Sequence, residues 1–446
     1  MSAHITHATE PPQRVVYLVA GAADTICGSC IRDNRLAAAL RAQGRDVILA
    51  PLYTPIRTDE DDVSEPRVYF GGLNVYLQHK YELFRRTPRF VNRWLNSPAL
   101  LRGVGRLATN TRPDQLGALT LSVLRGSDGP LARELDALVD ALCELRPQLV
   151  NLPNLMFAGL APRLREHLGV PTVCTLSGED AFVERLPQPY AEQVRSAIRR
   201  NAAAIDLFLA TSAYYADHCV RRFGLPGDRV RHVRLGIRQH DCARDGEPAQ
   251  PPFVVAFLGR ICPDKGLAEL ADAVIKLRNE GRRIRLLAAG YLHDAERGYL
   301  RSVENRFHEA GFAEGFEYLG EVSRRDKLAL LRRAHVFSMP SVFPEAKGLP
   351  VIEALAVGVP VVQPARGSFV EIVNDTGGGL LYDPDQPDAL PAAIARVMDD
   401  DDLRARLGAQ GRERVRHEWT DHRMADETWT LYERLMAEHG AQHERT

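Results

Sequence analysis

Two hydrophobic periods alternate along this chain. Short apolar runs with buried-strand character stand at 14–20 (RVVYLVA), 45–53 (RDVILAPLY), 147–154 (PQLVNLPN), 171–177 (PTVCTLS) and 204–212 (AIDLFLATS). Between them lie stretches with helical spacing: IRDNRLAAALRAQ, stopped at Gly44, then APRLREHLG and AYYADHCVRRFG, the last with Ser212 as its expected N-cap. RVRHVRLGI at 229–237 reads as a further strand. Strands alternating with helices predict an α/β protein with parallel sheets. The polar, proline-bearing run RQHDCARDGEPAQPP is the best linker in the chain. It sets the expected organisation: a tail at 1–12, an N-terminal domain at 13–236, a linker at 237–251 and a C-terminal domain at 252–415. An amphipathic helix at 416–438 and a tail at 439–446 complete it. No repeat of solenoid period and no low-complexity segment interrupts the pattern.

Composition narrows the class. A chain of 446 residues accommodates two or three domains, and 45% hydrophobic with 26% charged residues is ordinary for a soluble globular protein. A net charge of −1 gives no global attraction to polyanions, so no nucleic-acid partner is expected. There is no apolar run long enough to span a bilayer, and MSAHITHATEPPQRVV lacks the apolar core of a signal peptide. The seven cysteines are scattered and odd in number, which suggests free thiols in a reducing, cytoplasmic compartment.

Candidate chemistry is densest in the C-terminal half. The strand VVAFLG ends at Gly259, so Arg260 emerges at a strand's C-terminal edge, where doubly wound sheets bind ligands. After the turn Cys262-Pro263-Asp264, Lys265 begins the helix GLAELADAVIKLRNEG. A second strand, HVFSMPS, leads into SVFPEAKGLPVIEALAVGVP. There Glu345 and Glu353 flank the turn Gly348-Leu349-Pro350, and a helix over 350–356 directs its N-terminus at an anionic ligand. Arginine and lysine suit phosphate, and carboxylates accept hydrogen bonds from hydroxyls. A glutamate pair alone reads equally well as a solvated helix face. Its place in the ordered run strand, Arg-x4-Lys, helix, strand, glutamate pair, then strand VPVVQPA is what singles it out.

That ordered run resembles the donor half of retaining family 4 glycosyltransferases, the glycosyl transferases group 1. The resemblance implies the GT-B architecture, two Rossmann-like domains facing across a cleft, and transfer of a sugar from a nucleotide-diphosphate sugar to an acceptor hydroxyl with retention. A UDP- or GDP-sugar is the expected donor, a carbohydrate or glycolipid the acceptor, and no cofactor or metal is required. Arg260, Lys265 and Glu345 take the catalytic roles, the two cations meeting the departing diphosphate and Glu345 lying near the donor sugar. Glu353 is expected to hold the ribose hydroxyls. Gly259, Lys347, Gly348 and Leu349 complete the donor contacts, with the base read by backbone around Val322. Lys347 departs from the pattern, which has an aromatic or apolar residue there; it either favours an acidic donor or is simply exposed, the second being the plainer reading. The terminal helix is expected to cross back onto the N-terminal domain.

The N-terminal half matches less closely. The loop after the first strand supplies Gly21 and Gly28 toward the cleft, but it also carries Cys27-Gly28-Ser29-Cys30, a CxxC opening a helix. Such a position lowers thiol pKa and suits redox chemistry, although amides lining the cleft are the plainer reading. Ser177-Gly178-Glu179-Asp180 places two carboxylates at the cleft, either on acceptor hydroxyls, one as general base, or as an acidic first turn of a helix. Gly71-Gly72-Leu73 is a further glycine turn. Residues 80–112 carry eight Lys or Arg against Glu82 with interleaved aromatics, either a peripheral contact with an anionic membrane or a solvated helical insertion. An epimerase or hydrolase on this fold, a non-catalytic sugar-nucleotide binder and a thiol oxidoreductase are the competing functions.

Overall fold

A computed structural model describes residues 13–21, 27–69, 113–242 and 251–443. The turn at 71–73, the basic segment 80–112, part of the linker and the extreme termini lie outside the described residues. Among those described, twelve strands form two parallel six-stranded sheets. The first holds β1 (Val15–Val19), β2 (Val47–Pro51), β3 (Leu149–Leu152), β4 (Thr172–Leu176), β5 (Leu207–Ala210) and β6 (Val230–His232), in the order β2-β1-β3-β4-β5-β6. The second holds β7 (Phe253–Leu258), β8 (Ile284–Ala289), β9 (Phe316–Tyr318), β10 (Val336–Phe337), β11 (Val361–Pro364) and β12 (Gly379–Tyr382), in the order β12-β11-β10-β7-β8-β9.

The reason these runs are continuous rather than alternating is visible in β1 and β7. Every residue of VVYLV and of FVVAFL is buried. Helices cover both faces of each sheet, so neither face can be polar. Each fully buried valine, leucine or phenylalanine contributes about 1.5–3 kcal/mol relative to exposure. Strand β10 is shorter than the run HVFSMPS because pairing dissolves where the chain turns toward the cleft. Ser338 N still donates to Ala256 O, Met339 N turns to the Gln363 side chain, and Pro340 has no N–H to offer.

Strand order fixes where a ligand can sit. The first sheet reverses direction between β1 and β3, the second between β7 and β10. At such a switch point the two following connections leave on opposite faces, opening a crevice at the strands' C-terminal ends. Helix α1 (Gly28–Ala42) follows β1, and helix α2 (Ala213–Phe223) follows β5, capped by Ser212 Oγ accepting from Tyr215 N. In the second domain the helices that matter are α3 (Leu267–Asn279), α4 (Arg324–Arg333) and α5 (Leu349–Ala356).

The last helix, α6 (Asp421–His443), packs on the first sheet, not the second. Met424, Ala425, Trp429 and Tyr432 share a core with Tyr17, Val19, Leu36 and Leu40. Its entry is pinned where Ile237 pairs with Thr420 as a parallel bridge, so the polar run after 236 starts inside the fold. No helix among the described residues is long and apolar enough to cross a membrane.

Candidate active site

Arg260 and Lys265 stand at the C-terminal end of β7. Gly266 has φ +75°, and a Cβ there would lie 2.0 Å from Pro340 O, so only glycine lets this turn close on the loop after β10. Ser341 Oγ and Val342 N both reach Asp264 O, at 3.0 and 2.9 Å. This closure brings Lys265 Nζ to 2.5 Å from Glu345 Oε2. Arg260 keeps 53% of its side-chain surface, and Asp264, itself engaged by Arg185, is 3.9 Å away. Gly259 sits between β7 and β8, its N–H donating to Ala289 O at 3.1 Å. Gly348 caps α5 with φ +70°, and Leu349 is buried. The first-turn amides of a helix lack intrahelical acceptors and favour an anion.

Lys347 is not exposed, contrary to the sequence expectation. It spans the cleft: Nζ donates to Ser29 Oγ at 2.7 Å and to the Ser177 carbonyl at 2.6 Å. One side chain thus joins the loop after β10 to the start of α1 and to the end of β4. Burial pushes its pKa down, opposed by the nearby Cys27 sulfur. An aromatic residue here could not make this bridge, which is why the departure from the family pattern carries structural weight.

Of the two readings open for the carboxylates of 177–180, the acidic helix start is present, with Asp180 in the first turn of the short helix Asp180–Glu184. Glu179 turns inward: its oxygens accept from the amides of Ser177, Gly178 and Leu155 at 2.8, 3.0 and 3.3 Å, and Tyr215 Oη is 2.9 Å away. Burial raises its pKa. These bonds hold the loop's shape. Asp180 lies 2.8 Å from Tyr215 Oη and 3.1 Å from His218 Nε2. Gly21, with φ +79°, approaches Thr54 of the loop after β2, whereas a Cβ on Gly28 would meet open space.

Glu353 is buried and engaged. Lys327 Nζ of α4 lies 2.7 Å from it and Arg35 of α1 3.6 Å. These cations also hold the loop after β2, Lys327 binding Asp59 at 2.6 Å and Arg35 binding Glu60 at 2.5 Å. Arg324 reaches Glu60 at 2.5 Å and also pairs with Asp241. Sequence reasoning missed this cluster because arginines and lysines inside helical patterns look solvated, and only tertiary placement buries them. Beside it opens a cavity of about 540 Å³ between Arg57, Asp59 and Glu60 of one domain and Glu321, Val322 and Arg324 of the other.

Comparison with known proteins agrees with this geometry. The model of the family described as glycosyl transferases group 1 matches residues 242–414, and that of glycosyltransferase family 4 matches 118–239. Neither model alone covers half of the chain, but they fall in turn on its two halves and mark it as group 1 / family 4-like, with the two-domain GT-B fold. It is 30% identical to the O-antigen chain mannosyltransferase B of Escherichia coli over 50% of its own length and 60% of that protein's, less than two thirds of the relative. It is 27% identical to a GDP-mannose-dependent alpha-(1-6)-phosphatidylinositol monomannoside mannosyltransferase of Mycobacterium tuberculosis, over 58% of this chain and 69% of that one. Among solved structures, sucrose-phosphate synthase from Thermosynechococcus elongatus superposes with a TM-score of 0.68 at 19% identity, covering 95% of this chain and 99% of that one.

Proposed function

We propose that this protein transfers a hexosyl group from a nucleotide-diphosphate sugar to a hydroxyl of a carbohydrate or glycolipid acceptor, with retention of anomeric configuration and without a metal. The observation that carries the reading is the cation pair at the end of β7. Arg260 is half exposed, its nearest acidic oxygen is 3.9 Å away, and Lys265 is held beside it by Glu345. A departing diphosphate gains negative charge as the anomeric bond breaks, and fixed cations stabilise that charge in the transition state. The leaving phosphate oxygen accepts the proton of the incoming hydroxyl, so both bond changes occur on one face of the sugar. Glu353 accepts the ribose hydroxyls once Lys327 and Arg35 yield to the nucleotide, which couples donor binding to the contact between the domains. Both relatives are named as mannosyltransferases and one of them as GDP-mannose-dependent, which supports GDP-mannose as the first donor to try, with UDP-sugars next.

The test is a thermal-shift series with GDP-mannose and UDP-, ADP-, CDP- and dTDP-sugars, followed by product analysis with and without acceptor. A donor at 100 times its Kd stabilises by about 2.7 kcal/mol. Arg260→Ala, at an exposed position, leaves the fold intact but costs on the order of 2–4 kcal/mol in kcat/KM. Turnover within tenfold of wild type in that variant sinks the assigned role, and hydrolysis or epimerisation of donor alone at the full rate replaces transfer with another activity.

A further inference from the structure

The glycosyl-transfer reading uses no thiol, yet two cysteines stand at the cleft with their environments driven apart. We propose that Cys27 and Cys30 form a reversible dithiol–disulfide site at the cleft, governed by Lys347 of the opposite domain. Cys27 is the N-cap of α1, a helix of 15 residues, with extended backbone (φ −115°, ψ 128°), and Cys30 lies in its first turn. This i, i+3 placement at a helix start puts the two side chains side by side and Cys27 at the positive end of the helix. Lys347 reaches the same turn, its Nζ donating to Oγ of Ser29, which lies between the two cysteines. Both cysteines are free thiols, Cys27 half-buried and Cys30 buried.

The surroundings assign the roles. Hydrogen bonding from Cys30 and the charge of Lys347 hold the Cys27 thiol well below the ordinary thiol range, against the opposing effect of burial. Cys30 is pushed up by its hydrogen bond to Cys27 and by burial. The other charged groups around the pair are Asp33 and Arg32, one turn further along α1, and Glu345 and Glu179, which act on Lys347. Cys27 is therefore the attacking thiolate and Cys30 the resolving thiol. With a disulfide oxidant such as glutathione disulfide, Cys27 sulfur bonds to one glutathione sulfur and releases the other as thiolate. Cys30 then loses its proton, bonds to Cys27 sulfur and releases the second glutathione. Two protein thiols are oxidised and one glutathione disulfide is reduced to two thiols. The product removes the negative sulfur opposite Lys347, so the redox state of the pair sets the charge balance in the cleft.

The experiment needs no donor or acceptor, so it succeeds or fails independently of the transfer reading. The folded full-length protein is alkylated with iodoacetamide across a pH series, with exposed Cys143 as the reference thiol in the same molecule. It is also equilibrated in glutathione redox buffers, and the peptides are read by mass spectrometry. Cys27 should alkylate with a midpoint at clearly lower pH than Cys143, and oxidising buffer should yield an internal Cys27–Cys30 disulfide that reductant reverses. Cys30→Ser should trap glutathione on Cys27, and Lys347→Met should move the Cys27 profile to higher pH. The proposal is overturned if wild-type Cys27 follows Cys143, or if oxidising buffer leaves the pair reduced or stops at the mixed disulfide. The wild-type measurements decide this even if a variant fails to fold.

Discussion

Lys327 Nζ lies 2.7 Å from Glu353 Oε1, and both side chains are buried. The same ammonium is 2.6 Å from Asp59 of the other domain. One cation therefore neutralises the carboxylate assigned to the ribose and a carboxylate that belongs to the opposite wall of the cleft. Removing it leaves Asp59 without its close partner and Glu353 with Arg35 at 3.6 Å. Lys327→Ala should lower the unfolding free energy by about 3–5 kcal/mol, the usual cost of breaking a buried ion pair from one side. Adding Asp59→Asn to that variant should recover part of the loss, because contacting groups are not additive. Urea unfolding of the single and double variants measures both, and a loss under about 1 kcal/mol for Lys327→Ala would mean that solvent already reaches the pair.

The same cluster sets a pH window. Burial would raise the pKa values of Asp59 and Glu60, but Lys327 and Arg35, the nearest cations, outweigh it and hold both below their ordinary 3.8 and 4.5. Burial would lower Lys327, but Glu353 and Asp59 outweigh it and hold it above its ordinary 10.5. A depressed carboxylate contributes stability that is present above its unfolded value and lost as pH falls through its folded one. A raised lysine contributes stability that is present below its unfolded value and lost as pH rises through its folded one. Stability should thus be flat in this respect between about pH 5 and pH 10, falling below about pH 4 and again above about pH 10.5. Asp59→Asn should flatten the acid limb. Coincident acid limbs in wild type and variant, followed by circular dichroism, would remove Asp59 from the account.

The fold was legible because its strands are nearly uniform. RVVYLVA and VVAFLG can be little else, and Ser212 announced the start of α2 correctly. Of the motif residues, Lys265 and Glu345 come together because the loops after β7 and β10 adjoin at the second sheet's switch point, and Gly348 caps α5 further along the same loop. What could not be read was every interaction that joins distant parts of the chain. Nothing local distinguishes Lys347, which bridges the cleft, from a surface lysine. Glu179 has the same neighbours in sequence whether it faces solvent or, as here, turns inward to accept backbone amides. Arg35 and Lys327 lie in helical runs where nothing local marks a charge for burial, and theirs goes with the loop after β2 packing against them.

Gly348 offers a sharper test of the donor loop. Its φ of +70° is disfavoured for any residue with a side chain, and a Cβ would stand 2.5 Å from Ile372 Cδ1. Gly348→Ala adds the strain of the left-handed conformation, about 1–2 kcal/mol, to a clash with a packed core residue. The loop that carries Lys347 and the first turn of α5 must shift to relieve it. Calorimetric unfolding should show a loss of at least about 1 kcal/mol, and titration with the donor found by thermal shift should show weaker binding than wild type. Unchanged stability and affinity would mean that the turn is looser than its packing implies.

A chain of hydrogen bonds ties the last helix to the cleft of the first domain. Tyr432 Oη donates to Asn151 Oδ1 at 3.0 Å, across 281 residues of sequence. Asn151 Nδ2 donates to Thr175 Oγ1, which lies 3.0 Å from Tyr17 Oη, and Tyr17 donates to Asp33 Oδ1. Tyr17 Oη has one hydrogen and gives it to Asp33, so Thr175 Oγ1 must donate to Tyr17, and the order of donors runs one way to the Asp33 carboxylate, paired with Arg32 at 2.7 Å. Arg32 in turn approaches Ser177 Oγ at the cleft. Tyr432→Phe keeps the ring that packs on Tyr17 and Leu40 but leaves Asn151 Oδ1 buried without this donor. The expected loss is about 1–3 kcal/mol of stability, the cost of one unsatisfied buried polar group, with no change in net charge. Thr175→Val breaks the same chain at its middle. If the network acts as a unit, the double variant loses less than the two single variants combined, and strict additivity in urea unfolding would reduce the chain to independent hydrogen bonds.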